Sequence, residues 1–145
     1  MNRRQFIAAS CAACAAGSAM AALLEGCGVA TVRASLDGSD LVVPLSAFRI
    51  AGEGEAEYRE SIIVRHSLLQ YPVCVYRFGA AEYSALLMRC THQGTELQVF
   101  GDHLECPAHG SQFDNRGKVI HGPAATDLRV LPTDVSTIHL RISLR

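Results

Sequence analysis

The sequence has almost no net charge to work with: 13 basic against 14 acidic side chains give a formal charge of -1, and no basic stripe runs along it. That excludes nucleic acid as a partner. No glycine-rich nucleotide fingerprint, no internal repeat and no second metal motif is present, and no segment reads as a convincing amphipathic helix. At 145 residues the chain is long enough for one domain with a core and too short for two ordinary ones. A disulfide framework is also missing, although there are six cysteines. Cys11, Cys14 and Cys27 lie in an N-terminal Ala-rich segment, Cys74 sits in an apolar run, and only Cys90 and Cys106 stand next to histidines.

What is present begins with Arg3-Arg4-Gln5-Phe6-Ile7, followed by a mild apolar run to Leu24. Paired arginines, one variable residue, Phe and an aliphatic residue resemble a twin-arginine export signal. Alanine contributes little transfer free energy, so Ala8 to Ala22 make a weak transmembrane span, with an uncleaved anchor as the alternative. Leu24-Glu25-Gly26-Cys27 resembles a bacterial lipobox, from which Glu25 departs; the plain alternative is an ordinary cysteine near a cleavage site. Cys11 and Cys14 have C-x-x-C spacing but read as part of the signal. Residues 1–27 are therefore expected to be a signal or anchor, and 28–145 the folded domain.

Beyond Gly28 the chain becomes a series of short β-branched runs. Leu41–Pro44, Ser61–Val64, Val73–Tyr76, Ser84–Met88, Lys118–Ile120, Leu128–Leu131 and Thr137–Ile142 read as strands. Turn signals at Asp37-Gly38, Gly52 to Gly54, Phe78-Gly79, Gly101-Asp102 and Asn115 to Gly117 separate them. The pattern predicts an all-β sandwich or barrel. Glu96–Val99 and His103–Glu105 are expected to pair as a hairpin that brings Cys90 and Cys106 to neighbouring ends.

Those two cysteines carry the chemistry. Cys90-Thr91-His92 and Cys106-Pro107-Ala108-His109 each join a thiol to an imidazole, a donor set that suits zinc or an iron-sulfur centre. The one-residue gap in the first cluster is short for a structural zinc site. Gly94 and Gly110 follow the two histidines and let backbone amides approach closely, which serves a sulfide-bearing cluster better than a single ion. His66, His103, His121 and His139 lack a cysteine or carboxylate at ligand spacing and read as structural. Cys74 reads as a small buried side chain, and the acidic run Glu53, Glu55, Glu57, Glu60 as a solvated loop.

C-x-H, 13 intervening residues and C-x-x-H, followed by Gly110-Ser111, with Phe113-Asp114 and Gly122-Pro123-Ala124 beyond, resembles the Rieske [2Fe-2S] family. The resemblance covers residues 30–145 and is densest over 86–128. It implies stacked antiparallel sheets carrying a small subdomain of two cluster-binding loops. It also implies one [2Fe-2S] cluster per chain, with Cys90 and Cys106 on the inner iron, His92 and His109 on the outer iron near the surface, and a Ser111 hydroxyl bond to a bridging sulfide. Two imidazoles in place of two thiolates leave such centres at about -150 to +300 mV, against about -400 mV for plant-type ferredoxins. Thr95 and Ala108 stand where quinol-oxidising members have a disulfide pair, and Phe113 where high-potential members have a tyrosine. With one of two hydrogen bonds to sulfur retained, the potential is expected to be intermediate or low within that range.

The resemblance implies a one-electron carrier that is not catalytic alone and works with redox partner proteins. One placement is the iron-sulfur subunit of an exported, membrane-associated quinol–cytochrome c reductase, facing quinol and a cytochrome from the periplasmic side and attached by lipid or anchor. The absent disulfide and Gln93, where leucine is usual, weaken it. A second is the small subunit of a periplasmic molybdenum oxidase such as arsenite oxidase. A third, a dioxygenase-type ferredoxin, conflicts with export. A structural zinc-binding interaction module is the reading of a different class.

Overall fold

A computed structural model describes residues 28–52 and 54–145. The segment assigned to export or lipidation, with Cys11, Cys14 and Cys27, lies outside the described residues, as does Glu53. Among the described residues there are thirteen short strands, one 3-10 turn at Leu45–Phe48, and no helix long and apolar enough to cross a membrane.

The strands form three sheets. The central one contains β1 (Ala30–Arg33), β4 (Ser61–Arg65), β5 (Val73–Arg77), β6 (Tyr83–Leu87) and β11 (Val130–Leu131), in the order β1-β4-β5-β6-β11. A second holds β2 (Ser35–Asp37), β3 (Asp40–Pro44), β12 (Thr133–Val135) and β13 (His139–Ser143), ordered β12-β13-β3-β2. The third is an antiparallel meander of β7 (Gln98–Phe100), β8 (His103–Glu105), β9 (Gln112–Asp114) and β10 (Val119–His121). All pairings are antiparallel except β1 with β4, which run parallel at the edge of the central sheet.

The central sheet is buried on both faces, and its sequence shows why. A strand with one wet face alternates apolar and polar residues, whereas one covered on both sides is apolar throughout. Val73, Cys74, Val75 and Tyr76 are all buried, as are Ala85 and Leu86. Successive side chains point to opposite faces. Val73, Val75 and Ala85 therefore join Leu41, Val43, Leu140 and Ile142 of the second sheet in one core. Cys74, Tyr76, Leu86 and Met88 turn the other way and pack with Leu104, Phe113, Cys90 and Cys106 in another. The chain thus has two cores separated by one sheet, and both cysteines of the motif belong to the second.

The expected strands are present with shifted ends. The hairpin pairs Gln98–Phe100 with His103–Glu105, because Glu96 is drawn into an isolated bridge with Arg89 and Leu97 N–H donates to Met88 O at 3.0 Å. The last strand starts at His139 rather than Thr137, since the Ser136 hydroxyl accepts from His139 N–H at 2.9 Å and makes Ser136–Ile138 a turn. Leu128 is outside β11 because its N–H donates to Gly117 O at 2.8 Å. Strands β1, β2, β9 and β12 were not anticipated; each is short and carries polar or exposed residues.

Candidate metal centre

The two loops at the end of the small meander are built alike. Cys90 N–H donates to Thr95 O and Gly94 N–H donates back to Cys90 O, both at 2.8 Å. In the second loop Cys106 N–H donates to Ser111 O at 2.8 Å and Gly110 N–H to Cys106 O at 2.9 Å. The same turn therefore runs from cysteine to the fifth residue beyond it twice. Its fourth residue adopts a φ of 76° in both copies, in the left-handed region that glycine enters without steric cost. This backbone requirement accounts for Gly94 and Gly110 more directly than an approach to sulfide alone.

The turns sort the four candidate ligands by depth. Cys90 and Cys106 are each 1% exposed, whereas His92 and His109 are exposed with ring centroids 4.9 Å apart and planes nearly perpendicular, at 88°. Burial opposes ionisation of Cys106, but the backbone N–H groups of Ala108 and His109, helped by the Cys90 and Thr95 side chains, outweigh it and lower the thiol pKa. Such a thiol is prepared to bind metal as thiolate. Among the described residues no three His, Cys, Asp or Glu side chains are grouped as ligands of one ion. The structure shows two buried sulfurs and two exposed imidazoles.

A third loop closes over the other two. Ser111 is fully buried, and its Oγ accepts from Ala124 N–H at 3.0 Å. With that lone pair taken, its own O–H is still free to donate. Thr91 Oγ1 donates to Thr126 O at 2.6 Å, tying the first loop to the third. The Gly122–Pro123 peptide is cis. Phe113 is buried in the second core beside both cysteines, and Cys74, Cys90 and Cys106 are free thiols. The Thr91–Thr126 contact escaped sequence reading, since 35 residues separate the partners and threonine is common in loops.

The remaining histidines stay apart from this centre. His66 Nδ1 accepts from Leu68 N–H at 3.2 Å. His121 and His139 lie in β10 and β13. His103 differs from expectation in having carboxylates close by, Asp102 at 3.3 Å and Glu105 at 4.0 Å, because the tight turn and the strand bring sequence neighbours around the ring.

Comparison with known proteins agrees with this geometry. The cytochrome b6-f complex iron-sulfur subunit of Nostoc punctiforme is 45% identical over 49 residues, 32% of this chain and 27% of that protein. The ubiquinol-cytochrome c reductase iron-sulfur subunit of Blastochloris viridis is 43% identical over 68 residues, 44% of this chain and 38% of its own length. The chain thus spans well under half the length of these relatives. A cyanobacterial plasma membrane Rieske protein from Synechocystis PCC 6803 superposes with a TM-score of 0.51 at 29% identity, covering 58% of this chain and 86% of that one. The sequence model of the Rieske [2Fe-2S] domain matches residues 49–132, a span that takes in both cysteine turns and the loop that closes over them. The chain belongs to the Rieske [2Fe-2S] domain family, and its cofactor is a Rieske-type [2Fe-2S] cluster.

Proposed function

We propose that the protein is a one-electron carrier in which Cys90, Cys106, His92 and His109 hold the cluster and Ser111 donates to one of its sulfurs. The observation that carries this reading is the pair of matched turns, which bury both sulfurs and leave both imidazoles at the surface. The cluster supplies a site that accepts and returns a single electron at a potential raised by neutral imidazole ligands. This chain's own residues seal the sulfurs from water with Leu97, Leu104 and Phe113, fix both cysteines by backbone hydrogen bonds, and present the histidine edges to a partner. Residues 28–145 would act as one domain, with 86–128 forming its cluster-binding part.

The partner reading is an exported, membrane-associated redox complex of the quinol–cytochrome c reductase type. Its support is the likeness to cytochrome-complex iron-sulfur subunits and the twin-arginine pattern at Arg3-Arg4. The domain would face the periplasm, attached to the cytoplasmic membrane through a lipid on Cys27 or an N-terminal anchor. A second reading, the small subunit of a molybdenum oxidase, shares the twin-arginine pattern, while Thr95 and Ala108 leave the two loops without the disulfide that the first reading calls for.

The deciding experiment is purification followed by visible and EPR spectroscopy. A reddish-brown protein with a rhombic low-g signal on reduction is expected; a colourless protein containing only zinc would end the redox reading. Labelling with radioactive palmitate, lost in Cys27→Ala, tests the lipid attachment.

A further inference from the structure

Beside His92 a cleft of about 550 Å³ opens onto the surface. Its lining includes Arg89, Cys90, Thr91, His92, Gln93 and Arg129, two basic residues and no acidic one. The backbone explains why the arginines share it. Leu87 N–H donates to Arg129 O at 3.0 Å, so Arg129, just ahead of β11, lies across from Leu87 at the end of β6. Arg89 follows two residues beyond Leu87, where its N–H donates back to Leu87 O at 2.8 Å, so both arginines flank the same end of β6.

Three arginines of the domain have acidic partners, Arg65 with Glu96, Arg116 with Glu82 and Arg141 with Asp37 and Asp40, whereas Arg33, Arg49, Arg59, Arg77 and Arg145 have none among the described residues. Among the described residues Arg89 and Arg129 form no ion pair, yet both are anchored. The Arg89 guanidinium lies 5.8 Å from the Tyr71 ring centroid. Its Nε passes Gly94 so closely that a Cβ there would stand 3.3 Å away. Arg129 Nη2 donates to Leu144 O at 3.0 Å, which leaves the other donors of its fork unused. Two held cations without a counter-charge, beside exposed amide donors on Gln93, make a site that lacks only its anion. A planar carboxylate fits a guanidinium fork through paired N–H···O bonds.

We propose that this cleft binds a carboxylate at the His92 edge, with Arg89 and Arg129 as its principal donors. The carboxylate comes either from a small organic acid or from an acidic side chain of a protein that docks over His92. Substances exchanging electrons there would then be selected for negative charge, a criterion that the cluster ligands alone do not impose.

Isothermal titration calorimetry of the intact holo-protein at low ionic strength tests this, with succinate in one arm and a tetraglutamate peptide in the other. Saturable binding of at least one probe is expected, weakened by about tenfold or more in Arg89→Gln and in Arg129→Gln, as loss of a charged bidentate contact requires. Arg116→Gln, whose guanidinium pairs with Glu82, should leave the affinity unchanged. Succinate binding assigns the site to a free acid, and binding of tetraglutamate alone assigns it to a protein side chain. Absence of saturable binding by both probes overturns the proposal, as does equal affinity in the parent and both cleft variants. Unchanged visible absorption controls for folding, and if Arg89→Gln does not hold its cluster, the exposed Arg129→Gln decides alone. The heat of binding does not depend on electron transfer, so loss of that reading and loss of this one are separately visible.

Discussion

Ser111 joins two structural tasks in one buried hydroxyl. Its oxygen accepts the Ala124 N–H, and its proton is the one proposed to bond a sulfur of the cluster. Ser111→Ala leaves a buried N–H without a partner, which costs about 1–3 kcal/mol in a chemical denaturation series. The same variant should lower the midpoint potential, because a hydrogen bond to sulfur favours the more negative reduced state; an unchanged potential would remove Ser111 from the redox site. Cys74 supplies a pH test. Burial pushes its thiol pKa up from 9.0 to about 12, with the Tyr76 hydroxyl acting in the opposite direction. A thiol whose pKa is higher in the folded chain stabilises the fold fully below its unfolded value, and that contribution is lost as pH rises from 9.0 toward 12. Unfolding free energy is therefore expected to fall above pH 9 by about 1.4 kcal/mol per pH unit for this one proton. Cys74→Val should flatten the slope up to about pH 10, where tyrosine begins to titrate in the unfolded chain.

At the scale of elements, the two cysteine turns and the loop above them do what a disulfide does in quinol-oxidising members. The first turn is tied to the third loop by Thr91–Thr126 and the second by Ser111–Ala124, so each cluster loop has its own strap. Thr95 and Ala108 stand one in each of the two matched turns, whose cysteines pack in the same core. The double variant Thr95→Cys, Ala108→Cys is thus expected to close a bond, read by mass spectrometry as the loss of two hydrogens. It should raise stability by about 2–4 kcal/mol; two free thiols after oxidation would show that the loop ends lie outside disulfide reach.

These elements also show what a sequence makes legible. Strands β4, β5 and β6 are visible because burial on both faces writes an unbroken apolar run. Strands β1, β2, β9 and β12 are hidden because a three- or four-residue strand at an edge needs no apolar pattern. Cys90, His92, Cys106 and His109 are legible from spacing, since each pair must sit within one turn. Arg89 and Arg129 are not, because they are 40 residues apart and meet only where the chain ahead of β11 bonds the end of β6.

The whole molecule is two cores on either side of one sheet, and this division determines how it should respond to losing its metal. Leu41, Val43, Ile62, Val64, Val75, Leu140 and Ile142 form the first core without any residue of the cluster loops. The second contains Cys90 and Cys106 themselves, together with Leu97, Leu104, Phe113 and Leu128. Metal binding is folding free energy where the ligands are part of the packed interior. Removing the iron leaves two thiols inside the second core, one with its pKa already lowered and so poorly suited to an apolar interior. Hydrogen exchange on iron-free protein should then show β7 to β10 and both cysteine turns losing protection, while β3, β4, β5 and β13 keep most of theirs, in the manner of separate cooperative units. Strand β6, with Ala85 in the first core, Leu86 in the second and its ladder to β5 intact, should fall between the two. Uniform loss of protection across all three sheets would mean that the two cores fold as one unit, and that the cluster stabilises the sandwich as well as its cap.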